Sequence, residues 1–240
     1  MAVGTGLQFR SHITLETLDV LRAADKVLFA GADVVTARWL AEINPSAEGL
    51  PDYLPGRPRR ETYELWVELV MGAVRAGRHV CAAAYGHPGV FVHFTGEAVR
   101  RARAEGFRAV MLPGISAEAC MLCDLLIDPA PTGWQSYSAT VFVRRQPRFD
   151  TGTPLVLWQV KVIDAPGPPD RIARDGLARL VSVLLEHYPP HHQVALYEAS
   201  RNPALEHQVQ WLPLAALASA RFRLSATLLV PPLDQASERP

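Results

Sequence analysis

The chain has 240 residues, of which 49% are apolar, and its 24 Lys+Arg balance 24 Asp+Glu to a formal net charge of zero. That composition suits one large or two modest folded domains and shows no basic surplus of the kind a nucleic-acid binder carries. No charged stretch followed by an apolar run opens the chain, no apolar run approaches the ~20 residues of a membrane helix, and the three cysteines make no disulfide framework. A cytoplasmic protein without nucleic-acid or membrane partners is expected.

In chain order, Ala2 and Val3 form a short strand that enters the glycine turn Gly4-Thr5-Gly6. Ser11 is the expected cap of a helix on which Ile13, Leu15, Leu18 and Leu21 recur at helical spacing. Val27–Ala30 reads as a strand and Val34–Ile43 as an amphipathic helix stopped by Asn44-Pro45. Prolines and glycines make residues 45–58 a loop, and a long helix is predicted from about Arg60 to Ala76. His79–Tyr85 is a strand of small and β-branched residues, emptying into Gly86-His87-Pro88-Gly89. A helix follows over Thr95–Glu105, then a strand over Arg108–Leu112, then Pro113-Gly114 and a helix from near Ser116. Cys120 and Cys123 form a CxxC with no second pair or histidine at zinc spacing, so they read as part of that packed helix.

Repeated strand–helix units with short connections predict a parallel sheet. Beyond Ile127-Asp128-Pro129 strands dominate, over 138–143, 155–162, 194–198, 208–212 and 223–230, with one helix at about 169–187. The expected domains are an N-terminal α/β domain over 1–129, a C-terminal mixed α/β domain over 130–232, and a loose tail over 233–240.

Glycine–proline clusters after central parallel strands mark where open α/β sheets bind ligands. Gly4 and Gly6 allow close backbone approach, but the third glycine of a dinucleotide fingerprint is missing. Tyr85-Gly86-His87-Pro88-Gly89-Val90-Phe91 and Pro113-Gly114-Ile115-Ser116-Ala117 are two such loops, expected side by side. Arg59 and Tyr63 lie four residues apart and share a face if the long helix begins there. Glu186, His187, His191 and His192 crowd around Pro189-Pro190, which denies them helical His-x-x-x-His geometry. A solvated turn is expected there, and no metal.

These motifs resemble the tetrapyrrole methylases: the early glycine turn, a Gly-X-Pro loop, a Pro-Gly-X-Ser-Ala loop, and a closing strand before Pro231-Pro232. Within that family GlyHisProGlyValPhe at 86–91, LeuProGlyIleSerAlaGlu at 112–118 and Trp158-Gln159 are similar to the borosin-type α-N-methyltransferases, which methylate peptide backbone nitrogens. The resemblance covers about residues 2–232. It implies two α/β domains with S-adenosyl-L-methionine in the cleft between them, and S-adenosyl-L-homocysteine as product.

On matching positions the resemblance places Gly4, Gly6, Tyr85, His87, Pro88, Gly89, Val90 and Phe91 around the cofactor, the 87–90 stretch at its methionine end. Ser116 and Ala117 would hold the carboxylate or ribose. Trp158, Gln159, Ser225, Ala226 and Thr227 would enclose the adenine. Tyr53, Arg59 and Tyr63 would be catalytic, Arg59 as an electrophilic clamp on the amide carbonyl, Tyr63 as proton acceptor or orienter, and Tyr53 as a supporting donor. The first strand is unusually short for the family, and Leu50 stands where relatives place another tyrosine. The chain ends at Pro240 with neither a fused clasp nor a substrate tail, so the expected enzyme is the split kind. It would act on a precursor peptide supplied in trans and work as a homodimer. The alternatives are methylation of a tetrapyrrole, corrinoid or other small molecule, against which His87 argues because those enzymes favour Asp in that loop, and a non-catalytic protein that binds S-adenosylmethionine.

Overall fold

Three consecutive alanines, Ala82–Ala84, occupy the centre of the first sheet, on a strand, Val80–Ala84, that is buried on both faces. The computed structural model describes residues 1–54, 56–165, 172–223 and 225–233. Residue contacts divide the chain into two units. The first is Met1–Cys120 with Ser200–Glu206, and the second is Met121–Ala199 with the chain from His207.

In the first unit, strands β1 (Ala2–Gly4), β2 (Lys26–Ala30), β3 (Glu48–Gly49) and β4 (Val80–Ala84) form a parallel sheet in the order β1-β4-β2-β3. Alternation along a strand sends neighbouring side chains to opposite faces. Ala82 and Ala84 thus meet Trp66, Val67, Val70 and Met71 of helix α3 (Arg59–Arg75) and Phe94, Ala98 and Ala102 of α4 (His93–Ala104). Cys81 and Ala83 face the other way, towards Leu21 of α1 (Leu15–Ala23) and Leu40 of α2 (Val34–Ile43). Small residues on β4 let both helical layers approach closely.

Three expectations are corrected here. Thr14, not Ser11, caps α1, its hydroxyl accepting from the Thr17 amide at 3.1 Å. Helix α4 starts two residues before the predicted Thr95. The predicted strand 108–112 contributes only a parallel bridge between Ala2 and Met111, with backbone bonds of 2.9 Å from Ala2 to Val110 and from Leu112 to Ala2. Pro113 lacks the amide needed to extend that ladder.

Asn44 ties the α2 terminus to α1. Its Nδ2 donates to the Leu21 and Ala24 carbonyls at 2.8 and 2.7 Å, and its Oδ1 accepts from the Ser46 amide at 2.9 Å. Asn44→Ala leaves these buried groups unpaired and is expected to cost about 2–3 kcal/mol in urea unfolding. A loss within experimental error of zero would contradict that role.

Helix α5 (Ala117–Asp124) carries Cys120 and Cys123, neither in a disulfide, and leads into the second unit. There β5 (Gln135–Ser138), β6 (Leu155–Trp158), β7 (Gln193–Glu198), β8 (Gln208–Pro213) and β9 (Thr227–Val230) form a sheet in the order β5-β6-β9-β7-β8. Only β5 and β6 are parallel; the other pairs run antiparallel. Its core joins Leu155, Leu157, Leu196 and Leu228 to Phe142 of α6 (Ala139–Arg145) and to Leu177, Leu180 and Leu184 of α7 (Arg174–Leu185).

The predicted strand 138–143 is therefore wrong. Ala139 and Phe142, three apart, are both fully buried while Val141 is exposed, which is helical spacing in a β-branched run. The predicted strand 155–162 stops at Trp158, because Gln159 is left-handed at φ 60°. The last strand starts at Thr227, so Ser225 and Ala226 precede it. Residues 169–171 of the predicted helix and 234–240 of the predicted tail lie outside the described residues. No described helix is long and apolar enough to cross a membrane.

Candidate active site

The parallel register brings Gly4, Ala84 and Ala30 level at the ends of β1, β4 and β2. Beyond that line the backbones close in on one another. A Cβ added at Gly4 would lie 2.3 Å from the Gly86 oxygen, 2.8 Å from Pro88 Cδ and 3.2 Å from Gly114 Cα. One added at Gly114 would lie 2.8 Å from the same Gly86 oxygen. Gly6 and Gly86, at φ 70° and 74°, exchange backbone bonds of 3.2 and 2.9 Å. Three loops thus meet with their backbones in contact and the Pro88 ring against them, an approach that glycine at 4 and 114 permits.

The loop 86–91 is tightly braced. The Gly89 amide donates to His87 Nδ1 at 2.9 Å, so the neutral imidazole carries its proton on Nε2. Thr95 Oγ1 donates to the Pro88 carbonyl, and the Val90 amide to that of His87 at 3.3 Å. Phe91 holds φ 55°, a sparsely populated conformation for a bulky residue, and is exposed. One loop over, Ser116 Oγ accepts from the Ala119 amide at 3.1 Å at the start of α5, where Ala117 is the first helical residue.

Helix α3 does begin at Arg59, so Arg59 and Tyr63 share a face. The Tyr53 and Tyr63 hydroxyls are 3.2 Å apart, with ring centroids 5.9 Å apart and edge-on. Trp66 backs both rings at 5.6 and 5.5 Å and donates Nε1 to the Pro51 carbonyl at 2.8 Å. The Leu54 amide donates to Thr62 Oγ1 at 3.0 Å, fastening the incoming loop to the helix. Leu50 packs in the same cluster.

Burial, then the hydrogen bond with Tyr63, pushes the Tyr53 phenol above its ordinary value, and Arg59 opposes this more weakly. Tyr53 is thus a neutral hydrogen-bonding group at neutral pH. A raised folded-state value means this stability is complete below about pH 10 and is lost as pH rises further. Tyr53→Phe is expected to flatten part of the fall in Tm between about pH 9 and 11. Tyr188, pushed up to about 12 by burial and then by Asp150, retains a share of it. An unchanged slope would contradict the placement of Tyr53.

On the second unit, the pairing of Leu157 with Leu228 and of Tyr197 with Thr227 gathers Trp158, Gln159 and residues 225–227 at one end of the sheet. Trp158 is buried and donates Nε1 to Ser136 Oγ at 2.6 Å. Ser225 donates its hydroxyl to Glu198, whose carboxylate also lies 3.6 Å from Arg223. Ala226 and Thr227 are buried.

Several residues of these neighbourhoods escaped the sequence reading. His93 opens α4 directly after the glycine–proline loop, its ring 5.9 Å from that of Tyr63. Arg201 lies 4.7 Å over the Tyr85 ring and 3.1 Å from Asp33. Asp124 accepts from the Tyr197 hydroxyl at 2.6 Å and lies 3.7 Å from His207. Only His93 carried a signal, its place just after the loop; the other contacts span dozens of residues. Of the histidines near Pro189-Pro190, His187 rests edge-on against Phe149 and His192 stacks on Tyr188. Among the described residues no group of three or more His, Cys, Asp or Glu is placed to hold a metal ion.

A family model for tetrapyrrole (corrin/porphyrin) methylases matches residues 1–202. The chain is 34% identical over 238 residues to a methyltransferase/ribosomally synthesized type I borosin cyclic peptide precursor of Coprinopsis marcescibilis, covering 96% of this chain and 61% of that protein. It is 40% identical over 162 residues to a methyltransferase/ribosomally synthesized cyclic peptide gymnopeptides precursor of Gymnopus fusipes, covering 67% and 39%. The chain therefore spans about half the length of these relatives. Among solved structures, uroporphyrin-III-C-methyltransferase from Thermus thermophilus superposes with a TM-score of 0.65 at 21% identity, over 95% of this chain and 92% of that one. The methyltransferase CobJ gives 0.60 at 17%, over 96% and 92%. At these identities the two structures establish the shared fold.

Proposed function

The chain belongs to the tetrapyrrole methylase family, and we propose that it is an S-adenosylmethionine-dependent methyltransferase acting on the backbone amide nitrogens of a ribosomal precursor peptide. The observation that carries the acceptor class is the pair of tyrosine hydroxyls 3.2 Å apart on and before the helix that Arg59 opens. The naming of the relatives as methyltransferase/cyclic peptide precursors supports it. In this proposal the peptide arrives as a separate molecule and the chain works as a homodimer.

The junction of Gly4, Gly86 and Gly114 holds both glycine–proline loops at the carboxyl ends of the parallel strands, where open α/β sheets bind ligands, and the nucleoside sulfonium would lie against these loops. When bound, S-adenosylmethionine supplies an electrophilic methyl on a positively charged sulfur. Its methionine end would lie against residues 87–90, with Gly4, Gly6, Tyr85 and Phe91 also around the cofactor, and Ser116 and Ala117 would hold its carboxylate or ribose.

An amide nitrogen is a poor nucleophile because its lone pair is shared with the carbonyl. Arg59 donates to the acceptor's carbonyl oxygen and stabilises the negative charge that builds there. The Tyr63 hydroxyl accepts the amide proton or orients the amide, with Tyr53, 3.2 Å away, as the supporting hydrogen-bond donor. Methyl transfer to a nitrogen held this way would leave S-adenosylhomocysteine, a neutral thioether, as the product. Fixing amide and methyl in line supplies much of the remaining acceleration.

Intact-mass and fragment analysis of the peptide encoded beside the gene, incubated with enzyme and S-adenosylmethionine, tests the reading. Increments of one methyl on backbone nitrogen support it. An unmodified peptide with conversion of a tetrapyrrole would overturn it, and sedimentation decides the dimer.

A further inference from the structure

At the end of the first sheet opposite the glycine junction lies a cavity of about 610 Å³, well within the range of small-molecule sites. It begins where β1 and β4 begin, at Ala2 and Val80, whereas Gly4 and Ala84 close those strands. Its cause is visible in the sequence. Val70 and Val74 on α3, and Ala98 and Ala102 on α4, are each four apart, so each pair presents one face to the space. The alanines stop short of filling it.

The polar groups around it are basic. Arg78 and Arg108 line the cavity, both exposed, and neither forms a salt bridge among the described residues. Their neighbours are engaged: Arg75 is held by Glu68 at 3.1 Å and Glu105 at 2.6 Å, and Arg103 donates to the Ala109 carbonyl at 2.8 Å. His79, also on the lining, has its Nδ1 3.9 Å from the Asp25 carboxylate. Two uncommitted guanidinium groups beside an apolar hollow match a ligand with a carboxylate at one end and hydrocarbon at the other.

We infer that this cavity binds a small amphipathic carboxylic acid, its alkyl tail lying against α3, α4 and Val20 and Ala23 of α1, and its carboxylate held by Arg78 and Arg108. The site is separate from the loops assigned to methyl transfer and does not depend on that assignment.

Calorimetric titration of the full chain with sodium dodecanoate, below its micellar range, tests the inference. Saturable binding is expected, strengthening about fourfold per methylene from octanoate to dodecanoate, as burial of a CH₂ requires. Dodecyltrimethylammonium, with the same tail and the opposite charge, is expected to bind at least about fivefold more weakly. Ala98→Phe, which fills the hollow, is expected to weaken dodecanoate at least about tenfold. The surface pair Arg78→Glu and Arg108→Glu keeps the test open should the filled variant not fold, and is expected to remove the preference for the anion. Absence of saturable binding by the unaltered protein, equal affinity for both head groups, or unchanged affinity in the charge-reversed protein overturns the inference.

Discussion

Gly4→Ala is expected to abolish cofactor binding and to destabilise the first unit by about 3 kcal/mol or more. The added methyl would sit 2.3 Å from the Gly86 oxygen and 2.8 Å from Pro88 Cδ. Neither is the end of a flexible side chain, so the strand ends themselves must part. Gly86 has little freedom to move, because it is left-handed at φ 74° and bonded in both directions to Gly6. Displacing it moves the whole 86–91 loop, including the His87 ring that the Gly89 amide fixes. Urea unfolding and calorimetric titration with S-adenosylhomocysteine read the two effects separately. A variant with stability and affinity within about twofold of the original in Kd would show that the glycine junction is neither tight nor part of the site.

Arg59→Ala is expected to lower kcat by about 10²–10³-fold while leaving cofactor Kd nearly unchanged, as loss of a donor aimed at developing charge does. Arg59→Lys is expected to recover little, since an ammonium lacks the planar fork of a guanidinium. Tyr63→Phe removes the hydroxyl proposed as proton acceptor or orienter and is expected to cost about 10²–10⁴-fold in kcat, with Tyr53 left packed against Trp66. In the proposed roles the loss belongs in kcat, because both side chains act on the charge and proton of the transition state. A loss confined to cofactor affinity would reassign Arg59 and Tyr63 to binding or to the architecture of α3.

What the sequence disclosed followed the physics of each feature. Gly4, Gly86, Pro88 and Gly114 were legible because glycine and proline act locally, and their coincidence after strands implied a common end of one sheet. Arg59 and Tyr63 were legible as a pair because helical spacing alone puts them together. The helix at Ala139–Arg145 was not, because Ala-Thr-Val-Phe-Val has strand propensity and only the core around Phe142 decides its conformation. Trp158 was anticipated on a strand that continued to Val162, and the left-handed Gln159 that ends it has no local signature. Glu198, Arg201 and Asp124 owe their places to partners 27, 168 and 73 residues away, which no local pattern encodes.

A crystal structure of the protein with S-adenosylhomocysteine tests the central claim most directly. The amino-acid end of the ligand is expected against the backbone of residues 86–91, within hydrogen-bonding distance of Ser116 or Ala117. Clear density for the ligand anywhere else, with the Gly4–Gly86–Gly114 junction untouched, would contradict the account.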